Sequence, residues 1–251
     1  MTYKHFIFGI LFFAFFSCKQ DMHLNKIEGK RLEINDSIIG NENIENFIKP
    51  YRDHVNKNLD SVLAYSVDTY SKTDGELNTA IGNMMVDAVM ELSNPVFNSR
   101  TGNNIDIVLL NHGGIRSILS KGNVTTRSAY KIMPFENSVV VAELQGIYIN
   151  EIVEYLLKAK RAHPISGLSL KVDDDFNLIE ALVSGNPVDN EKKYFVATND
   201  YLYHGGDNMS FFKKSDSLHI LDYKIRNVLI DYFLKKDTIK PVRDDRFIKI
   251  N

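Results

Sequence analysis

The chain has 251 residues, 44% hydrophobic and 25% charged, with 14 Gly and 6 Pro, which is the composition of an ordinary globular protein long enough for a sizeable core. Lys+Arg 30 against Asp+Glu 32 leave a formal net charge of -2, and no long basic run occurs, so the electrostatic footprint of a nucleic-acid polymer binder is missing. A single Cys excludes an intramolecular disulfide framework and any Cys-rich zinc site.

The N-terminus carries Lys4 and His5, an apolar run from Phe6 to Phe16, and then Ser17-Cys18. That run is too short to cross a hydrocarbon layer of about 30 Å. A basic start, a short apolar stretch and a small residue before the cut mark residues 1–17 as a secretory signal peptide. Phe15-Phe16-Ser17-Cys18 resembles a bacterial lipobox, with Phe15 where Leu is usual. The expectation is a lipidated Cys18 as the mature N-terminus, and a cell-envelope protein held to a membrane, outside the cytoplasm, by that anchor. Residues 18–58 then read as a polar tether and a leading helix. The helix is expected over Glu42 to Leu59, where Ile44, Phe47, Ile48, Tyr51 and Val55 recur at helical spacing.

From Leu59 to residue 251 strand-like and helix-like segments alternate without a linker, which predicts one domain. Strands are expected at Val62 to Ser66, Ile105 to Leu110, Ser138 to Glu143 and Tyr194 to Thr198. Helices are expected at Gly82 to Leu92, ended by Asn94-Pro95, and at Ile147 to Lys160 and Leu221 to Leu234. The predicted class is α/β or α+β, with a mixed β-sheet and flanking helices.

Two polar, glycine-rich segments follow strand ends: Asn111-His112-Gly113-Gly114-Ile115-Arg116 after Leu110, and Asn199 to Asp207, containing Tyr201 and His204-Gly205-Gly206-Asp207, after Thr198. The crevice beyond strand ends is the usual ligand position in α/β sheets. Gly113, Gly114, Gly205 and Gly206 let backbone approach a ligand. Each segment alone is also what a tight turn looks like.

Together with two further blocks they are specific. Ile81 to Ala88, Asn111 to Arg116, Met133-Pro134-Phe135-Glu136-Asn137 leading into Gln145-Gly146, and Thr198 to Asp207 occur in an order that resembles the C-terminal, substrate-binding domain of the 5'-nucleotidases. The resemblance implies a nucleobase sandwiched by Phe135 and Tyr201, with Tyr201 where Phe is more usual. It implies Asn111 and Arg116 on the base and on the ribose or phosphate side, and Asp207 on the ribose hydroxyls. Stacking on an aromatic face suits that role.

The departures from the family pattern shape the functional expectation. Leu77-Asn78 stands where the family has an Arg-Glu step that supplies a phosphate-binding arginine, and neither Gly-Asn-His-Asp/Glu nor Gly-His-x-His occurs in the sequence. The expectation is therefore a nucleotide- or nucleoside-recognition domain acting in nucleotide catabolism with a separately encoded metallophosphoesterase. This chain would hold no cofactor or metal of its own and would not be catalytic alone, the divalent metal belonging to the partner. The alternatives are a nucleoside-binding lipoprotein without hydrolysis, and a fold that has drifted to another ligand or a structural role. His112 and His204, both beside Gly-Gly, form a poor metal set without a carboxylate. Asp173-Asp174-Asp175 reads as a solvated loop, and neither a Gly-x-Ser-x-Gly nor a phosphate-loop motif is present.

Overall fold

The computed structural model describes residues 23–250. The expected signal peptide and Cys18 lie outside the described residues. Residues 23–48 belong to one unit and residues 49–250 to a second. In the first, the Asn35 side chain accepts from the Ser37 N–H at 3.0 Å and the Ser37 hydroxyl at 2.6 Å, forming an Asx turn. Asn41 Oδ1 accepts from the Asn43 and Ile44 N–H groups at 3.0 and 3.3 Å, so Asn41 starts α1, Glu42–Leu59, whose residues from Lys49 on belong to the second unit. Ile44, Phe47, Tyr51 and Val55 are exposed on it.

In the second unit the chain runs through β1 (Val62–Ser66), α2 (Ala80–Thr101), β2 (Ile107–Leu109), β3 (Gly122–Thr125), α3 (Thr126–Ile132), β4 (Ser138–Gln145) and α4 (Gly146–Ala159). It continues as β5 (Ile165–Ser166), β6 (Leu168–Val172), β7 (Leu178–Val183), β8 (Asn186–Pro187), β9 (Lys193–Asn199), α5 (Asp200–Tyr203), β10 (Ser217–Lys224), α6 (Ile225–Lys235), β11 (Thr238–Ile239) and β12 (Phe247–Lys249). The central sheet has the order β10-β4-β9-β2-β5 and is mixed, β2 and β9 being parallel and β4 antiparallel to β9. Smaller sheets, β11-β1-β3 and β12-β6-β7-β8, accompany it.

The apolar runs of β2 and β4 have side chains for two faces because successive Cβ atoms alternate across a sheet. Val108, Leu110, Val139, Val141 and Ala197 join one core with helices α2 and α6, while Ile107, Leu109, Ala142, Leu144 and Val196 join the other with α4. The strands expected within 105–110, 138–143 and 194–198 therefore become the central sheet and the helix over 147–160 one of its covering layers, while the strand at 62–66 joins the β11-β1-β3 sheet; the class is mixed α and β as the sequence predicts.

Two expected boundaries differ. Helix α2 does not end at Asn94-Pro95 but continues through Pro95 to Thr101, with Gly102 in the left-handed region at φ 75° as its cap. Proline inside a helix costs about 3 kcal/mol. Phe97, fully buried with ring centroids 5.1 Å from Phe195 and 5.3 Å from His219, offsets most of that by about 2–3 kcal/mol of burial. The segment predicted as one helix from Leu221 to Leu234 is instead the end of β10 followed by α6. Ladder pairing with β4 captures Ser217 to Ile220 and Lys224, with an irregularity between the last two where Asp222 adopts φ 53°.

Candidate functional site

The sheet itself explains why distant loops meet. Strands β2 and β9 run parallel, so the segments after Leu110 and Asn199 leave at the same sheet end. The pairing of Val139 with Asn199 puts the beginning of antiparallel β4, and so the 133–137 loop, at that end too. Thr198 ties the strands together, its hydroxyl donating to the Leu109 carbonyl at 2.8 Å in a fully buried setting.

There a cleft of about 320 Å3 is lined by Asn111, Gly113, Gly114, Arg116, Phe135, Asn137, Tyr201 and Asp207. All five predicted ligand-facing side chains, Asn111, Arg116, Phe135, Tyr201 and Asp207, thus line one cavity. Phe135 is 40% exposed and Tyr201 49%, so each ring presents part of its surface to the cleft. Arg116 places its guanidinium carbon 5.8 Å from the centre of the Phe135 ring, and its Nη1 reaches the Gly113 carbonyl at 3.4 Å.

The Asp207 side is built from backbone as much as from side chains. Asn199 is buried, and its Oδ1 accepts from the Leu202 N–H at 2.8 Å, starting the short α5 turn that presents Tyr201. The Tyr201 ring then lies on Gly206, where an added Cβ would come within 2.4 Å of the ring. Gly205, Asp207 and Asn208 all have positive φ, at 95°, 49° and 62°; for the two non-glycine residues this is a costly conformation that the surrounding contacts must enforce. The Asp207 carboxylate accepts from Asn111 Nδ2 at 2.7 Å and from the Tyr201 hydroxyl at 3.0 Å, and its backbone carbonyl accepts from the Tyr155 hydroxyl at 2.9 Å.

Some participants carry no local signal in the sequence. Tyr155 comes from α4, and its ring meets His163 edge to face at 5.4 Å. His163 is nearly buried; burial first, then the neighbouring His112, push its pKa down to about 4. Its Nδ1 accepts from the His112 N–H at 3.4 Å, and so His112 is engaged with His163, whereas His204 packs its ring against Tyr203 at 5.3 Å. Asn137 also lines the cleft. Buried Tyr or His residues of this kind are indistinguishable in a sequence from ordinary core residues.

The remaining candidates lie elsewhere. Leu77 is buried in the core on the α4 side, and Asn78 donates to the carbonyls of Asp244 and Phe247, each at 3.0 Å, so this step serves packing. Asp173 accepts from the Asn177 N–H at 2.8 Å and from Asn177 Nδ2 at 2.9 Å in the turn between β6 and β7, with Asp174 and Asp175 exposed. Among the described residues, no group of three or more His, Cys, Asp and Glu side chains is placed to hold a metal ion. The sequence does contain one Asp-x-His step, Asp21-Met22-His23, which begins outside the described residues and has neither companion motif. Among the described residues no helix is long and apolar enough to cross a membrane.

Comparison with known proteins places this geometry in context. The family model described as 5'-nucleotidase, C-terminal domain, matches residues 59–214. The cell wall protein Lmo0130 of Listeria monocytogenes is 30% identical over 176 residues, 64% of this chain and 22% of its own length. Protein UshA of Escherichia coli is 25% identical over 192 residues, 72% of this chain and 32% of its own. The crystal structure of a 5'-nucleotidase precursor from Thermus thermophilus superposes with a TM-score of 0.69 at 21% identity, over 82% of this chain and 43% of that one, a likeness of fold. The chain thus spans less than two fifths of either curated relative.

Proposed function

The chain belongs to the family of 5'-nucleotidase C-terminal domains, and on that premise we propose that its cleft holds a nucleoside or nucleotide with the base between Phe135 and Tyr201. The observation that supports this most is the convergence of two half-exposed rings, a cation and a carboxylate from three separated loops into one cleft. A base stacked on an aromatic face gains about 1–3 kcal/mol. Asp207 keeps acceptor capacity for ribose hydroxyls, and Arg116 supplies charge for the phosphate side.

In this reading the chain recognises the substrate in nucleotide catabolism, and a metallophosphoesterase partner hydrolyses it. Phosphate monoesters react so slowly uncatalysed that hydrolysis needs a metal-activated water or an equivalent clamp, and two of the family's metal-ligand motifs are missing from this sequence. The divalent metal would reside in the partner. We also assign the protein to the cell envelope, attached through a lipidated Cys18; the N-terminal pattern and the similarity to a protein named as a cell wall protein support this. One observation favours the second reading, a nucleoside-binding lipoprotein without hydrolysis: Leu77, at the place of the expected phosphate arginine, is 4% exposed and apolar.

Calorimetry with adenosine, AMP and cytidine tests the cleft. Binding is expected to fall about tenfold or more in Phe135→Ala and in Tyr201→Ala, and binding undiminished in both removes the stacking site. Adenosine preferred over AMP selects the second reading. The purified chain is expected to release no phosphate from AMP with Mn2+ or Zn2+. Turnover that copurifies with it and disappears in Asp207→Asn contradicts the division of labour.

A further inference from the structure

Arg226 lies in the first turn of helix α6 and is 5% exposed, a buried cation that plays no part in the ligand contacts above. Its Nη1 donates to the carbonyls of Pro134 and Phe135, each at 3.4 Å, and its Nη2 pairs with the Glu136 carboxylate. The flat guanidinium lies over the Tyr130 ring, 4.1 Å from its centre. Just before it in the chain, Lys224 pairs with the same Glu136 carboxylate, and the Ile225 N–H donates to the Asn137 carbonyl at 3.0 Å. Three consecutive residues at the β10–α6 junction therefore hold every residue of the Pro134–Asn137 loop.

The loop needs such a hold. A ring as exposed as Phe135 gains little fixation from packing, and a stacking partner must keep its plane and its distance from the opposite ring. A planar fork can span two carbonyls and a carboxylate at once, which a point charge on a flexible stem cannot. The arrangement carries a cost, because Arg226 Nε is buried without a partner while only the Glu136 end of the pair reaches solvent. What the guanidinium adds is geometry at the base of Phe135.

We propose that Arg226 is a positioning residue that fixes the Phe135 ring, and with it the width of the slot facing Tyr201. The inference rests on the reading of the cleft as a nucleobase site. It requires that Arg226 act through Phe135, so the two must be energetically coupled.

The test is a double-mutant cycle on the purified chain, with adenosine affinity by calorimetry and melting temperature measured in parallel. Arg226→Met is expected to weaken adenosine binding about tenfold in the wild-type background and by no more than about twofold when Phe135 is already Ala. Arg226→Lys is expected to recover only part of the loss. Should Arg226→Met fail to fold, Glu136→Gln loosens the same clamp from its exposed side, and its smaller loss must likewise vanish in Phe135→Ala. Equal losses in both backgrounds, or full affinity in the Arg226 and Glu136 variants, overturn the positioning role while leaving the base site standing. A Phe135→Ala that binds as well as wild type overturns this inference, and the same result in Tyr201→Ala as well, or a wild type that binds none of adenosine, AMP and cytidine, overturns the base site with it.

Discussion

Phe135 stands on a loop gripped by charges, with Lys224 and Arg226 on the Glu136 carboxylate and the Arg226 fork on two carbonyls. Tyr201 and Asp207, across the cleft, stand on hydrogen bonds with no cationic partner and on unusual backbone: a glycine floor, three positive φ angles, and the Tyr155 hydroxyl on the Asp207 carbonyl. The same cleft thus has one rim held by ion pairs on the exposed Glu136 carboxylate and one held by backbone shape in front of a buried imidazole. Perturbations that act on only one of these properties should separate them.

Acid is the strongest of these. His163 sits behind the Tyr201 rim against Tyr155, with its folded pKa depressed to about 4 chiefly by burial. A neutral buried imidazole stabilises fully above the ordinary value of 6.5, and that stability is lost as pH falls from 6.5 toward 4, amounting to roughly 3 kcal/mol. The groups around it are His112, Arg161, Tyr155 and Asp207. Glu136, on the Phe135 rim, is held down to about 2 by Lys224 and then Arg226, so its contribution is complete above 4.5 and disappears only as pH falls toward 2. The Tyr201 rim should therefore yield first on acidification. The melting temperature is expected to drop between pH 6.5 and 4, and His163→Gln to flatten that interval; a wild-type profile already flat there refutes the assignment.

Shape is the next lever. Gly206 does not have positive φ, so Gly206→Ala acts through space alone, placing a methyl group 2.4 to 2.6 Å from three atoms of the Tyr201 ring. The ring must leave its seat or the loop must shift, at about 1–3 kcal/mol of stability, and adenosine affinity should fall at least as far as in Tyr201→Ala. Gly29→Ala, whose Cβ would meet nothing within 4 Å, is the mild control. Equal melting and binding for the two variants would show that the ring does not rest where the structure places it.

The contrast between the rims also marks what a sequence can reveal. Apolar runs such as Ile105 to Leu110 announce central strands because both faces are buried, and the blocks carrying Asn111, Arg116, Phe135, Tyr201 and Asp207 are legible because each is a continuous motif. What supports them is not local. Arg226 reaches Glu136 from 90 residues away, and Tyr155 reaches Asp207 from 52. Pro95 and the segment 221–224 mislead for a related reason: Phe97 packing and pairing with β4 override the local signal, as tertiary contacts commonly override propensity. Strand β6 does alternate, with Leu168, Leu170 and Val172 buried around Ser169 and Lys171, and is legible, whereas β7 is apolar on exposed and buried positions alike and β12 has three residues, so neither declares a period.

The finest separation concerns the Tyr201 hydroxyl. A carboxylate offers two oxygens with two lone-pair sites each. Asn111 occupies one site on one oxygen of Asp207 and Tyr201 one on the other, leaving a site on each. Two adjacent free acceptors match two adjacent donors, the vicinal hydroxyls of ribose, whereas 2'-deoxyribose offers one. Tyr201→Phe keeps the ring and its stacking but releases one oxygen of Asp207 to turn. Adenosine affinity is then expected to fall about two- to fivefold, ~0.5–1 kcal/mol, with the preference for adenosine over 2'-deoxyadenosine shrinking and the melting temperature nearly unchanged. Calorimetry with the two nucleosides on wild type and variant decides it. If the preference stays the same while Tyr201→Ala still abolishes stacking, the residue serves as a wall only, and Asp207 is oriented by Asn111 and its own left-handed backbone.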